Sequence, residues 1–402
     1  MNINRLMKNL YKIGRIGYTP GKGITRTAFS AEYYQALDVV KSLFEDAGLV
    51  VIKDRVGNIV GKRKGKNSNA KSILMGSHLD TVKNGGFYDG TLGVMAALEV
   101  INTLNDYSIE TNHHIEIIGF NAEEGSEMGG TFGSRVMVGR QDLQEEGLSE
   151  KLKFYGLDLD DVRKSKRKMD DVAAYLELHI EQGGYLENRL SSIGVVDGIV
   201  GITDYKITIT GESNHAGTTP MNLRKDPVVM LGEVINKIYR MARDYGPPFV
   251  VTIGDINVNP GAFNVIPKEI TFLLEVRDLK QKNIDDFMMK LRVFCNSFDN
   301  YTFKFDHVDT EPFRLLSQEI MKEIEEAVNK RGVSYEIITS GAGHDAKEFT
   351  YVVPTGMIFI PSVRGISHSI KEYSRKNEIE KGTKILMDTL LSLDSKLYLS
   401  AK

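Results

Sequence analysis

The chain has 402 residues, of which 41% are hydrophobic and 26% charged, a composition typical of a globular protein large enough for two or three domains. A formal net charge of −3, without basic clusters interleaved with aromatic residues, argues against a nucleic-acid partner. The single cysteine, Cys295, excludes an intrachain disulfide and a thiolate metal cluster, so we expect a cytoplasmic setting. The sequence also predicts neither a signal peptide nor a membrane span.

Apolar segments in the first half of the chain alternate between two spacings. Helical spacing predicts a helix over residues 33–47, and the runs at residues 50–52 and 56–60 predict a hairpin. The same reasoning predicts strands at residues 73–75, 113–120 and 175–181, a helix ending at Leu104, and a charged helical region over residues 142–171. Because strands alternate with helices, we expect an α/β domain with a largely parallel sheet and with functional groups beyond the carboxyl ends of its strands.

The pattern changes near residue 206. The following segment predicts the order βαββαβ, at residues 206–210, 226–245, 250–257, 269–278, 282–298 and 301–307. This order is that of a ferredoxin-like unit with four antiparallel strands and two helices. After residue 315 the pattern predicts helices at 317–330 and from about 377, and strands at 334–338 and 356–360. The sequence therefore predicts an inserted domain, residues 206–314, between the halves of a catalytic domain, residues 1–205 and 315–402.

The stretch from residue 72 to residue 104 carries the first candidate metal ligands. His78 and Asp80 lie two positions apart at a strand end, so their side chains project from the same side. Asp89 comes just before a predicted helix, where unpaired N–H groups favour an ionised carboxylate. An imidazole and a carboxylate at the mouth of a sheet are ligands for a divalent metal ion.

Other imidazoles and carboxylates occur in comparable positions. Each histidine alone is more often structural than functional, and the whole set carries the argument. The set offers nitrogen and oxygen ligands without cysteine, which suits zinc or manganese. Its members are His78, Asp80, Asp89, Glu123, Glu124, His179, His215 and His368.

Seven short segments carry a family resemblance. They are GSHLDTV, GGFYDGTLGV, NAEEGS, ELHIEQGGYLE, HAGTTPM, NVIP and GISHS, which run in order from about residue 76 to residue 369. In these segments the chain resembles the hydantoinase/carbamoylase-type amidases of the M20 metallopeptidase clan. The resemblance implies a zinc-exopeptidase-like α/β catalytic domain with an inserted ferredoxin-like domain that serves as lid and dimerisation domain. It also implies a homodimer.

The resemblance assigns roles to the candidate ligands. Asp89 would bridge two divalent ions, zinc or manganese, with cobalt and nickel as alternatives. The further ligands would be His78 and His179 for one ion, and Glu124 and His368 for the other. Asp80 would orient His78, and Glu123 would be the general base. Two ions sharing one water would lower the pKa of that water toward neutrality and polarise a carbonyl oxygen.

The resemblance also implies five substrate-binding residues. His215 would stabilise the oxyanion, and Arg277 would bind the substrate's carboxylate. Asn264, Gln182 and Gly343 would complete the set, with Gln182 near the ureido group. The residues alone allow simpler interpretations, namely an ion pair of Arg277 with a neighbouring acidic side chain and turn capping by Asn264.

The resemblance favours one function over two others. The leading hypothesis is a metal-dependent hydrolase that cleaves a linear C–N amide bond of an N-carbamoyl-L-amino acid or a related ureido acid, such as allantoate or N-carbamoyl-β-alanine. The second is an M20 aminoacylase or dipeptidase that acts on N-acyl amino acids or small peptides. The third is a metal-bound scaffold without catalysis, which the presence of Glu123 and of all the candidate ligands argues against.

Overall fold

The computed structural model describes residues 1–126 and 128–400. The chain forms two compact units, Met1–Asp197 with Leu316–Lys402, and Gly198–Leu315. The second unit begins before residue 206, the boundary that the sequence predicts, because its first strand already starts at Gly201. Residues 401 and 402, which belong to the predicted catalytic domain, lie outside the described residues.

The amino-terminal part of the first unit alternates helices with strands. Its elements are α1 (Ile3–Gly14), β1 (Tyr18–Thr19), β2 (Gly23–Ile24), α2 (Ala31–Asp46), β3 (Val50–Lys53), β4 (Ile59–Arg63), β5 (Ser72–His78), α3 (Thr91–Asp106), β6 (His114–Phe120), α4 (Phe132–Val138), α5 (Leu148–Phe154), α6 (Leu159–Ser165), β7 (Val172–Ile180), α7 (Tyr185–Arg189) and β8 (Ile193–Ile199). Strand β8, which extends past Asp197, is an element that the sequence analysis missed.

The second unit and the return of the chain to the first unit follow. The second unit contains β9 (Gly201–Thr210), β10 (Asn214–His215), α8 (Pro227–Tyr245), β11 (Val250–Asn259), β12 (Val265–Ile266), β13 (Glu269–Asp278), α9 (Gln281–Cys295), β14 (Thr302–Glu311) and β15 (Arg314–Leu315). The first unit then resumes with α10 (Gln318–Arg331), β16 (Tyr335–Ser340), α11 (Asp345–Phe349), β17 (Thr355–Ile360) and α12 (Lys376–Ser400).

The first unit is built on a mixed sheet with a parallel centre. Its strands run in the order β8-β17-β7-β5-β6-β4-β3, and neighbouring strands from β17 to β6 are parallel. All seven residues of β5 are buried. Strand β7 is also buried along both faces, as in parallel sheets covered by helices on each side. The predicted mixed α/β fold is confirmed.

The carboxyl ends of the parallel strands meet at one edge of this sheet, and the candidate site lies there. Strand β5 ends at His78, β7 ends one residue after His179, and β6 leads into the loop that carries Glu123. Helix α3 starts at the same edge, directly after Asp89 and Gly90. The fold therefore brings residues that are far apart in sequence to a single edge.

The second unit has a four-stranded antiparallel sheet in the order β11-β13-β9-β14. Helix α8 begins where Asp226 accepts a hydrogen bond from the Val228 amide and Pro227 occupies the first turn. Helices α8 and α9 pack on this sheet. Between them lies the hydrophobic core of the second unit, which includes Ile209, Phe272 and Phe287. The elements follow the order βαββαβ that the sequence predicts. None of the helices in residues 1–126 and 128–400 is both long and apolar enough to cross a membrane.

Candidate metal centre

Asp89 is the shared member of two groups of potential metal ligands. The Nε2 atoms of His78 and His179 lie 3.6 Å and 3.0 Å from its Oδ1 atom. The Nε2 atom of His368 lies 3.1 Å from its Oδ2 atom and 3.2 Å from Oε2 of Glu124. Within each group the ligand atoms all lie within 4.8 Å of one another. Each carboxylate oxygen of Asp89 thus faces a different pair of side chains, which is the arrangement that a bridging ligand requires.

The hydrogen bonds of His78 and His179 define their tautomers. Nδ1 of His78 lies 3.0 Å from the main-chain oxygen of Asp80, and Nδ1 of His179 lies 2.8 Å from that of Ile180. A carbonyl oxygen only accepts, so the hydrogen of each ring is on Nδ1. Nε2 of each ring is therefore the nitrogen that faces Asp89, and it is the atom that would coordinate a metal ion.

Gly90 allows the close packing of helix α3 against His78. Its φ is 58°, a left-handed conformation that favours glycine. A Cβ atom at this position would lie 2.4 Å from the ring of His78. The amide of Gly90 also donates to Nε2 of His179 at 3.2 Å. The packing of His78 therefore depends on glycine at this position, whereas His179 contacts only the main chain there.

The carboxylate of Asp80 holds the loop that carries the two neighbouring glutamates. Its oxygens accept hydrogen bonds from the amides of Glu123 and Glu124 at 3.2 Å and 3.1 Å. The carboxylate lies 3.9 Å from Nδ1 of His78, beyond hydrogen-bonding distance. The sequence analysis expected Asp80 to orient His78, and here its main-chain carbonyl makes that contact because the carboxylate is engaged by the loop.

Glu123 and Glu124 point to different partners. Oε2 of Glu123 lies 3.7 Å from Nε2 of His78, whereas Glu124 contacts His368. Burial raises the pKa of Glu123 well above its usual range, and the negative charge of Glu124 adds to this effect. A carboxylate with a raised pKa is a stronger base, which suits a group that accepts a proton from water.

The donor set fits divalent metal ions. Among the residues that the structure describes, Oδ1 of Asp89 and Oε1 of Glu124 are buried atoms without a hydrogen-bond partner. With metal–ligand bonds of about 2.0–2.1 Å, ligands of a tetrahedral ion lie about 3.3–3.4 Å apart. The observed separations of 3.0–3.6 Å bracket this value. Nitrogen and oxygen donors without sulfur suit zinc or manganese.

Three residues of the site have left-handed backbone conformations that are unusual for non-glycine residues. They are Ala122, Gln182 and His368, with φ values of 59°, 60° and 52°. Ala122 directly precedes Glu123. Such conformations cost free energy and persist where the surrounding structure fixes them, as at functional sites.

The side chain of Gln182 forms a hydrogen bond with the carboxylate of Asp89. Its Nε2 atom donates to Oδ2 of Asp89 at 2.9 Å, and its amide donates to Oγ of Ser362 at 3.1 Å. In the part of the chain that is described, its buried Oε1 atom has no hydrogen-bond partner. At Gly343 an added Cβ atom would meet nothing within 4 Å, so space is open beside this glycine.

His344 is buried next to the candidate metal ligands. Its ring lies 4.5 Å from that of His179, and its Nε2 atom lies 2.9 Å from Oγ of Ser340. With Glu177 and His179 it forms a third group of potential ligands. The carboxylate of Glu177, however, already accepts hydrogen bonds from Ser77, Tyr175 and the amide of Ala346, so it supports the site from behind.

His215 and Asn264 lie together in the second unit. Strand β10 pairs with β12, and the Ala216 amide donates to the main-chain oxygen of Asn264 at 3.0 Å. Nδ1 of His215 accepts hydrogen bonds from the amides of Gly217 and Thr218 at 3.0 Å and 3.2 Å. The hydrogen of the neutral ring is therefore on Nε2, and this exposed atom can donate a hydrogen bond.

Arg277 makes a bidentate ion pair with Glu275. Its Nε and Nη2 atoms donate to the two carboxylate oxygens at 2.7 Å and 3.0 Å. This is one of the two neighbouring acidic residues that the simpler interpretation of Arg277 allowed.

The sequence analysis assigned no role to three residues that contact the site. Glu372 accepts hydrogen bonds from the amides of Tyr88 and Asp89, and Ser367 donates to Asp89. Arg26 is fully buried and donates to the main-chain oxygen of Leu79, between two site residues. A sequence signal was available only for Ser367, which adjoins His368.

Comparison with known proteins places the chain in a family. Residues 74–392 match the sequence profile of peptidase family M20/M25/M40. The chain belongs to peptidase family M20. The predicted resemblance to the hydantoinase/carbamoylase branch is confirmed, and so is the prediction of a hydrolase that acts on carbon–nitrogen bonds.

Relatives of this M20 hydrolase match it along nearly its whole length. It is 38% identical to the N-carbamoyl-L-amino acid amidohydrolase of Geobacillus stearothermophilus, over 97% of this chain and 98% of the relative. It is 34% identical to the allantoate amidohydrolase of Escherichia coli K12, over 95% of each chain. Its fold is similar to a crystal structure of a hydantoinase/carbamoylase family amidase from Burkholderia multivorans, with a TM-score of 0.88, 32% identity and 97% coverage of both chains.

Proposed function

We propose that this M20 hydrolase binds two divalent metal ions and cleaves a linear C–N amide bond of an N-carbamoyl-L-amino acid or a related ureido acid. The observation that carries the proposal is the position of Asp89, whose two oxygens face separate ligand pairs. The proposed ligands are His78, Asp89 and His179 for one ion, and Asp89, Glu124 and His368 for the other. The names of the relatives at 38% and 34% identity support the substrate class.

In this proposal the residues divide the work of hydrolysis. The bound ions would lower the pKa of a water and polarise the substrate carbonyl. Glu123 accepts the proton of the attacking water and returns it to the leaving nitrogen as the C–N bond breaks. His215 donates from Nε2 to the developing oxyanion. Arg277 binds the substrate's carboxylate, and Asn264, Gln182 and Gly343 are further proposed substrate contacts.

Replacing the proposed base tests the role of Glu123. Glu123→Gln should keep both ions and lose about two to four orders of magnitude in kcat, because the amide cannot accept the proton. Metal content is measured by mass spectrometry and turnover by ammonia release. Glu323→Gln is the matched control, since Glu323 is a buried carboxylate of α10 that pairs with Ser392 and Lys396. Full turnover of Glu123→Gln, or of the metal-free protein, would refute the proposal.

A substrate panel separates the proposed function from its alternative. N-carbamoyl-α-amino acids, N-carbamoyl-β-alanine and allantoate are compared with N-acetyl amino acids and dipeptides, in manganese and in zinc. Ammonia release from the ureido acids supports the proposal. Hydrolysis of the N-acetyl or dipeptide substrates alone would favour the aminoacylase or dipeptidase alternative. No turnover with both ions bound would favour the non-catalytic scaffold.

Dimerisation through the second unit and a cytoplasmic location are further parts of the proposal. Strand β11 lies at an edge of its sheet and exposes Ile256 and Val258, and exposed edge strands readily pair with another chain. The single cysteine, Cys295, suits a reducing compartment. Ile256→Lys places a charge on the exposed face of this edge strand, and light scattering should then report a shift from dimer to monomer. A wild-type monomer would contradict the dimer.

A further inference from the structure

The carboxylate of Glu372 joins two segments that carry metal ligands. Its Oε1 atom accepts hydrogen bonds from the amides of Tyr88 and Asp89 at 2.9 Å and 3.1 Å. Its Oε2 atom accepts from Oγ of Ser367 at 2.9 Å and from the amide of His368 at 3.3 Å. One buried side chain thus fixes the backbone at both Asp89 and His368.

These two ligands need such support because neither lies in a helix or strand. Asp89 precedes α3, and the N-cap residue of this helix, Gly90, has no side chain that could cap it. His368 lies in the loop between β17 and α12, has a φ of 52°, and its side chain is 48% exposed. By contrast, His78 and His179 belong to buried strands whose ladders fix their backbone. The positions of the loop ligands must therefore be set by other contacts.

The side chain of Asp89 is held by the same cluster. Oγ of Ser367 lies 3.0 Å from Oδ2 of Asp89, in addition to its contact with Glu372. A hydroxyl has one hydrogen and can donate to one of these oxygens at a time. Gln182 donates to the same Oδ2 atom. Glu372 meanwhile holds the Asp89 backbone, so the carboxylate of Asp89 is fixed from both ends.

We propose that Glu372 is a positioning residue that sets the spacing between Asp89 and His368 and thereby the affinity of the ion held by Asp89, Glu124 and His368. The inference rests on the proposed function, because it requires that ion. Glu372 touches neither substrate nor reacting atoms. Its loss lowers metal affinity at this position more than at the position of His78 and His179, whose side chains are fixed by strands and by main-chain carbonyls.

Glu372→Gln tests this role with little change in volume. Its amide group can accept on one oxygen only, so its NH₂ group opposes either the N–H groups of Tyr88 and Asp89 or the N–H group of His368. Competition with a chromophoric chelator should show two metal affinities in the wild type. In the variant, the affinity for the ion held by Asp89, Glu124 and His368 should fall about 10–100-fold. Saturating metal should restore kcat to within a few-fold of wild type, a rescue that a directly catalytic residue would not show.

Asp394→Asn is the matched control. Asp394 is also a buried carboxylate that accepts main-chain hydrogen bonds, from Asn112 and His113 at the opposite end of β6. The Asp394→Asn variant should have a lower melting temperature than the wild type, with both metal affinities unchanged. Ser367→Ala is a milder second variant, in case Glu372→Gln does not fold. It should lower the affinity for the same ion by a smaller factor.

The outcomes distinguish this inference from the proposed function. A wild type that binds fewer than two ions refutes the proposed function. Two ions bound with unchanged affinities in Glu372→Gln or, if that variant is unfolded, in Ser367→Ala refute the positioning role and leave the function intact. An equal loss of affinity in Asp394→Asn also refutes it, since the effect would then come from general destabilisation.

Discussion

Metal binding to the group of Asp89, Glu124 and His368 should weaken steeply as the pH falls. In the absence of an ion, hydrogen bonds to Asp89 and Glu124 raise the pKa of His368 to about 10. A metal ion needs the neutral imidazole, so a proton must leave on binding. One displaced proton raises the apparent dissociation constant about tenfold for each pH unit, hence about a hundredfold between pH 8 and pH 6.

The sign of the effect on folding is opposite in the metal-free protein. Because the pKa of His368 is raised by folding, its protonation stabilises the folded state. This stabilisation is fully present below the pKa of an unfolded histidine, about 6.5, and is lost as the pH rises through about 10. Low pH therefore favours the proton at this position, and neutral or higher pH favours the metal ion.

Proton release measures this exchange directly. Addition of two equivalents of zinc to metal-free protein in a lightly buffered solution at pH 8 should release protons, and His368→Ala should release about one fewer. Chelator competition at pH 6, 7 and 8, corrected for protonation of the chelator, gives the slope of affinity with pH. Affinity that does not change with pH, or equal proton release from His368→Ala and wild type, would refute the reasoning.

Three substitutions probe other parts of the molecule. Gly90→Ala forces a Cβ atom onto the His78 ring and should weaken metal binding at least about tenfold by chelator competition, whereas Gly232→Ala, where a Cβ atom meets nothing within 4 Å, should not. Arg26→Met leaves four oxygen acceptors without their donor and should lower the free energy of unfolding by about 3 kcal/mol or more in a urea titration; a loss below about 1 kcal/mol contradicts this. Arg277→Lys should raise KM about tenfold or more with a small change in kcat, since lysine cannot form the bidentate pair, and an unchanged KM would argue against carboxylate binding.

The sequence predicted those parts of the fold that local patterns determine. The apolar run before His78 becomes the buried strand β5, and the helical pattern that follows Asp89 becomes α3. Strand β9 shows what a local pattern misses. Its first residues include Gly201 and Asp204, which are uncommon in strands, but cross-strand pairing with β13 and β14 extends the strand over its full length. Long-range hydrogen bonds, which no local pattern encodes, set its start.

The candidate site was predictable to the extent that strand ends gather functional groups. Topology brings His78 and His179 to one edge, and the loops add Asp89, Glu124 and His368. The supporting contacts were not predictable, because they join distant positions. Glu372 contacts Asp89 across 283 positions of sequence. The engagement of Asp80 by two loop amides likewise depends on a packed loop rather than on the spacing of residues.

The carboxylates that support this site differ in their hydrogen bonds from the carboxylates that are candidate metal ligands. Asp80 and Glu372 are buried, and each accepts main-chain N–H donors on both oxygens. Asp89 and Glu124 each keep one buried oxygen that nothing in residues 1–126 and 128–400 donates to. An uncompensated buried charge is costly, and a cation bound beside either carboxylate would lower that cost.

Asp345 tests this distinction because its two oxygens also lack partners among the described residues. Burial raises the pKa of this carboxyl well above its usual range, and the negative charge of Glu177 adds to the effect. Asp89 differs: although burial opposes it, the neighbouring imidazoles of His179, His368 and His78 keep its pKa well below the usual range. An unpartnered oxygen on a carboxyl whose pKa is lowered, rather than burial alone, therefore distinguishes Asp89 as a candidate metal ligand.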